Sequence, residues 1–350
     1  MSKVFRQATA MTLAIILCAL CTLACAEPMS FRNRDEALKY IEKNQPMELT
    51  IEKVKMKPSD LLEIRNALPE GAKFHFTTKW GSVTFSDNAE ELDLRKKENS
   101  VTLKELESIV QICPNIKLIN NTKCTAISNK AMIELIEKYP DIQFEWKIYL
   151  GKGHYINTTQ TAYSTFNHSS DGSRVKLTSE NLELLKYCNK LKALDLGHNE
   201  IRSLEFLKYM PDLELLIVGH NYITDITPIG QLKHLQYAEL FKNRIVDLSP
   251  LANCKELLDL NLTATTIEDL SALDNVTTLE RLVVNSCKKL PKEAVDHFKE
   301  LHPDCEVDFK ISNSATNTEK PWRKHPRYKH YIWCLKHGKW IPFDEEIPKY

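Results

Sequence analysis

The chain has 350 residues, with 47 Lys plus Arg against 47 Asp plus Glu, and 43% of its residues are hydrophobic. A formal net charge of zero removes any global electrostatic argument for nucleic acid or an anionic membrane as partner. The length allows two or three domains, and the apolar content supports a well-buried core.

Residues 1–26 read as an export address. Lys3 and Arg6 give a positive start, the apolar run from Met11 to Leu23 is short for a membrane span, and Ala24-Cys25-Ala26 is a small-residue cleavage site. The expectation is an exported protein, secreted or associated with the cell envelope, with the signal peptide cleaved after Ala26. Leu23-Ala24-Cys25 is also a partial lipobox, with Thr22 where an aliphatic residue is usual, so a lipid anchor at Cys25 is the alternative. No second apolar run of membrane length follows, so no transmembrane segment is expected after cleavage.

Residues 27–150 repeat a helix–strand plan. Helical patterns at 35–46, 59–69, 102–113 and 128–139 each end at or just before a proline, and each leads to a short alternating strand, at 49–51, 74–76, 116–118 and 142–144. These units are expected to form a cap, because an open end of a repeat array exposes core and sheet edge. Residues 151–178 interrupt the plan with Gly, Ser, Thr and Asn. The stretch 155–166 reads as a strand or hairpin and 168–173 as a turn-rich loop, so this insertion either connects two repeat types or carries a binding loop.

From 191 to 287 one phrase recurs. Leu191, Leu213, Leu235, Leu257 and Leu279 open units of 22 residues that follow L-x-x-L-x-L-x-x-N-x-I. Alternation at Leu194/Leu196, Leu216/Val218, Ala238/Leu240, Leu260/Leu262 and Leu282/Val284 turns these side chains inward from a short strand. The few residues left to return, with Pro228 and Pro250 at matching places, predict a 3₁₀ or extended path. Asn199, Asn221 and Asn243, continued by Thr265 and Cys287, share one column where the chain leaves the strand. Backbone groups buried there need partners, and an inward amide, hydroxyl or thiol supplies them. Residues 291–309 return to the helix–strand plan, closing the block 179–311, and 312–350 form a basic, aromatic tail.

These units resemble internalin-type leucine-rich repeats, which end in a D-I-x-P-L phrase. Thr224-Asp225-Ile226-Thr227-Pro228-Ile229 and Val246-Asp247-Leu248-Ser249-Pro250-Leu251 match it; 268–273 lacks the proline, and 202–207 lacks both Asp and Pro. Over residues 85–345 the chain is similar to uncharacterised exported bacterial leucine-rich-repeat proteins, through Leu194-Asp-Leu-Gly-His-Asn199, Tyr237-Ala-Glu-Leu-Phe241, Leu257-Leu-Asp-Leu-Asn-Leu262 and Trp322-Arg-Lys-His-Pro-Arg-Tyr328. The fold expected is an α/β solenoid, a right-handed leucine-rich-repeat superhelix with a parallel sheet, flanked at both ends by helix–strand units. The resemblance also implies a location in the envelope or outside the cell and a binding role.

Function is to be sought in the outward residues of the strands, because a curved parallel sheet offers an extended concave face. The candidate surface is Asp195, His198, Leu215, Ile217, His220, Tyr237, Glu239, Phe241, Lys242, Asp259 and Asn261. Leu215, Ile217, Tyr237 and Phe241 give an apolar patch with a charged border, as a protein-binding site requires. The competing reading is that the insertion or the tail covers them. Trp322, Tyr328, Tyr331, Trp333 and Trp340, set among Lys and Arg, suit a polyanion or membrane interface, or packing back on the last unit.

His198 and His220 stack ~4.8 Å apart at strand spacing, but two imidazoles without a third ligand make no metal site, and Cys334 and His337 with His325 and His330 lack paired Cys-x-x-Cys spacing. Cys188 and Cys254 are three repeats apart, roughly 14 Å, beyond a disulfide, and read as small buried hydrophobes. No pairing is set for Cys113, Cys124, Cys305 or Cys334. No nucleophile elbow, Walker loop, zinc-protease or dinucleotide motif occurs. The expectation is a non-enzymatic protein without cofactor or metal, binding a protein partner or, as a second ligand class, a glycan. The alternative is an envelope-associated enzyme or glycan-binding protein with its site where the insertion meets the concave face.

Overall fold

The computed structural model describes residues 27–97, 100–151, 153–165, 176–310 and 321–348. The export address and the turn-rich loop at 168–173 therefore lie outside the described residues. The chain divides into two compact units, Met1–Glu145 and Trp146–Tyr350.

In the first unit the expected helix–strand phrases are all present. Helix α1 (Arg34–Asn44) leads to β1 (Glu48–Val54), and α2 (Pro58–Ala67) to β2 (Lys73–Trp80). Strand β3 (Val83–Ser86) folds back on β2 through a two-residue turn at Gly81 and Ser82, a hairpin the periodicity did not reveal. After β4 (Glu91–Asp93), α3 (Leu103–Ile112) leads to β5 (Leu118–Asn120) and α4 (Asn129–Lys138) to β6 (Gln143–Glu145). The strands form two sheets, β1-β2-β3 and the parallel β4-β5-β6. Asn33, Thr102 and Ser128 cap their helices by accepting the amides of Glu36, Glu105 and Ala131. Helix α2 has no cap of its own at Lys57. The buried Glu105 carboxylate on α3 replaces it, taking the Ser59 amide and hydroxyl at 2.9 Å each.

The second unit opens with the hairpin β7 (Lys147–Gly151) and β8 (His154–Asn157), followed by β9 (Ala162–Ser164). Strands β10 (Ala193–Asp195), β11 (Leu215–Ile217), β12 (Tyr237–Glu239), β13 (Asp259–Asn261), β14 (Arg281–Val283) and β15 (Glu306–Asp308) join β9 in a seven-stranded parallel sheet in chain order. The insertion thus supplies the sheet's first strand, and helix α5 (Lys292–Leu301) precedes its last. The returns are 3₁₀ turns at Glu205–Tyr209, Thr227–Gln231, Ser249–Asn253 and Ser271–Leu273. Asp225, Asp247 and Asp269 start three of them by accepting the amides of Thr227, Ser249 and Ser271 at 2.8, 2.8 and 3.0 Å. Ser203 does this for the unit without the Asp. Helices α6 (Pro321–Lys324) and α7 (Pro326–His337) follow. This is a leucine-rich-repeat solenoid, and among the described residues no helix is long and apolar enough to cross a membrane.

The Asn column forms a ladder between repeats. Asn221 accepts the Ile201 amide at 3.0 Å and donates to the carbonyls of Leu196 and Val218 at 3.0 and 2.9 Å. Asn243 repeats this one unit on, with Ile223, Val218 and Leu240. Thr265 gives its hydroxyl to Leu262 at 2.7 Å, and the Cys287 thiol lies 3.4 Å from the Thr265 hydroxyl. Each residue before the column, His198, His220, Lys242, Ala264 and Ser286, has a positive φ between 51° and 63°.

The seven described cysteines are all unpaired, and six are buried. Burial pushes the thiols of Cys113 and Cys188 up to about 12 and that of Cys254 to about 11.

Two measurements check this packing. Asn221→Ala leaves the buried Ile201 amide unpaired and takes one of two side-chain donors from each of the Leu196 and Val218 carbonyls, so urea denaturation is expected to give a loss of about 2 kcal/mol; a loss under about 0.5 kcal/mol would show that the ladder contributes little to stability. A bulky thiol reagent at pH 8 should leave the six buried cysteines unmodified in the folded protein and label them in urea, since burial denies the reagent access to all of them and also holds the thiols of Cys113, Cys188, Cys254 and Cys334 protonated.

Candidate functional site

The strand register fixes which side chains share the sheet's outward face. One row is Ala193, Leu215, Tyr237, Asp259, Arg281 and Glu306; the next is Asp195, Ile217, Glu239, Asn261, Val283 and Asp308. Those rows follow from the repeat alignment. What covers them does not.

Helix α7 and the chain after it lie on this face. Tyr331, Cys334, Leu335, Trp340 and Ile341 join Ala193, Leu215, Ile217, Tyr237 and Val283 in one apolar cluster. Leu215 and Tyr237 are 0% exposed and Ile217 is 7% exposed. The expectation that these three form an open patch is therefore corrected: the tail packs back, because its aromatic side chains bury more apolar area there than in water.

The polar side chains under the tail are consumed in holding it. Glu239, buried at the centre, accepts hydrogen bonds on Oε1 from Tyr237 at 2.6 Å, Tyr331 at 3.0 Å and Trp322 at 3.1 Å. Burial and the adjacent carboxylate hold both tyrosine hydroxyls well above their usual pKa, so they remain donors. Asp259 is fully buried between Arg281, at 2.6 Å, and Arg327, at 3.0 Å, while the Arg281 guanidinium lies over the Trp322 ring at 4.5 Å. Trp340 donates to Glu214 at 2.6 Å, and the Gly338 carbonyl accepts the amides of Thr161 and Ala162 at the sheet's first edge.

Of the rest of the candidate surface, Asn261 is buried, and the other side chains lie one step along, beyond the apolar cluster that helix α7 covers. His220 is exposed, while Asp195, His198, Phe241 and Lys242 are half-buried. His198 and His220 share a hydrogen bond, Nδ1 to Nδ1, at 2.8 Å, so one ring carries the proton and the other accepts it. Desolvation, then the charges of Lys242 and Lys176, lower the pKa of His220 and keep it neutral at pH 7. Among the described residues no three His, Cys, Asp or Glu side chains gather as a metal site. The Phe241 ring lies across Gly219, where an added Cβ would come within 2.2 Å of it, so glycine is required there for space. Beside Phe241 a cleft with about 550 Å³ of empty space, including its open mouth, is lined by His198, Lys242, Asn261 and Thr263, by Asp308 of the closing unit, and by Trp322 and Arg323. Asp308 and Arg323 were missed in the sequence, and Trp322 was read there only as part of the tail. The only signal was the aromatic density of the tail.

No protein-family model matches the chain, and no curated protein matches it. Among solved structures it is similar to an internalin from Listeria monocytogenes at 18% identity, over 77% of this chain and 69% of that one, with a TM-score of 0.36. Internalin C2 from the same organism has 17% identity over 63% and 80% of the two chains, TM-score 0.31. A leucine-rich-repeat protein from Leptospira interrogans has 19% identity over 75% and 72%, TM-score 0.38. The repeats of this chain are leucine-rich repeats, as its own 22-residue register and asparagine ladder show.

Proposed function

We propose that this is an exported, non-enzymatic binding protein that captures a protein partner through a strip of the concave face beyond the helix α7 cluster, His198, His220, Phe241 and Lys242, with the cleft beside it. The observation that carries this reading is the state of Phe241: a half-buried aromatic ring lying across Gly219, at the border of the core that the tail covers. An aromatic side chain fixed at low entropy cost, next to a cation and two hydrogen-bonding imidazoles, is the type of group that dominates protein interfaces. A binding role without catalysis is further supported by Glu239 and Asp259, whose positions are already occupied by donors and cations from the chain itself.

The test separates strip from core. Phe241→Ala combined with Lys242→Glu is expected to abolish cross-linked capture of a partner from intact cells while lowering stability by about 2 kcal/mol. Tyr237→Ala is expected to cost about 4 kcal/mol, as a buried aromatic truncation does. Capture unchanged by the double variant would overturn the assignment of the strip.

A further inference from the structure

We propose that the first unit carries a binding site for a phosphate-class oxyanion on the open face of its three-stranded sheet. A shallow open depression there, with about 770 Å³ of empty space including the solvent above it, is lined by Lys53, Lys55 and Lys79, with Thr77, Thr84 and a single acid, Glu52.

Three features point to a ligand. First, the chain holds an unfavourable backbone to place Lys53. The register steps from Ile51 opposite Phe76 to Val54 opposite Thr78, so Glu52 and Lys53 together face Thr77 in a β-bulge, and Lys53 sits at φ 57°. A lysine there costs free energy that a glycine would not, and such bulges re-aim side chains. Second, the pairing of Val54 with Thr78 brings the next residues, Lys55 and Lys79, side by side. Like charges on neighbouring strands destabilise a sheet. Third, all three lysines are exposed and, among the described residues, none has a carboxylate at ion-pair distance. Three ammonium groups against one carboxylate, with the hydroxyls of Thr77 and Thr84 alongside, match an anion with several acceptor oxygens. Protection of the sheet edge explains lysines on β1. It does not explain Lys79, which lies on the central strand between β1 and β3.

The experiment uses the full chain at low ionic strength, titrated with inorganic phosphate and pyrophosphate, and sedimented with phosphatidylcholine vesicles with and without phosphatidylglycerol. Binding to at least one anionic probe is expected, weakened about 10-fold or more by Lys55→Gln with Lys79→Gln. Saturation by the free anions assigns a soluble phosphate group; binding only to the anionic vesicles assigns a lipid headgroup. Lys53→Gly is the second arm, expected to weaken binding several-fold while raising the melting temperature by about 2 °C, since glycine accepts the bulge conformation. No binding to any anionic probe would overturn the site. Equal binding by wild type and both variants would do so too.

Discussion

The solenoid depends on how each coil leaves its strand. At that corner the chain enters the left-handed region at a residue other than glycine, in five successive repeats, and each such residue costs roughly 1–2 kcal/mol in isolation. The amides recover partners only from the next coil: His198 donates to Gly219, His220 to Phe241, Lys242 to Thr263 and Ala264 to Asn285, at 2.6–2.8 Å. The Asn column bridges neighbouring coils from inside. A coil's conformation is thus stable only against its neighbour, the property that makes a repeat array one-dimensional in its energetics. The last corner, at Ser286, donates to Lys310 beyond β15, so the closing helix–strand unit completes the ladder as well as covering the core.

The outward face obeys a different constraint. Leu215, Ile217, Tyr237 and Val283 together make an apolar area that a monomer rarely leaves in water, and the chain covers it with its own tail. Apolar contact alone sets position loosely. Glu239, accepting from two tail side chains, and Asp259, pairing with Arg327 on α7, give the docked helix a defined register. Removing one partner of such a buried group would leave the other uncompensated. The tail therefore behaves as part of the domain's second core, although nothing in its composition separates it from a membrane-surface strip.

That contrast explains what the sequence disclosed. The 22-residue period specifies strand register, inward leucines and the Asn column, because each follows from local geometry repeated identically. The outward rows were legible for the same reason, down to the pairing of Tyr237 with Asp259. Their cover by the tail stood only as a competing reading, since the contact between Tyr331 and Tyr237 spans distant parts of the chain and no periodicity relates them. The capping of α2 by Glu105 was hidden likewise, being a tertiary replacement for a missing local cap. The bulge at Lys53 was invisible because lysine gives no sign of a left-handed backbone.

The tail also narrows where recognition on this sheet can occur. It removes the largest apolar anchors, Tyr237 and Leu215, from solvent and leaves a strip in which Phe241 is the large apolar ring, bordered by the two imidazoles and Lys242. A partner reading such a strip gains little from apolar area alone and depends on geometry. That geometry is set by the backbone, because the Phe241 ring occupies the space that Gly219 leaves and the imidazoles stand on corners hydrogen-bonded to the next repeat. Preorganisation of this kind lowers the ordering cost of association. The same hydrogen bonds that hold the solenoid together therefore also fix the side chains that remain available for recognition.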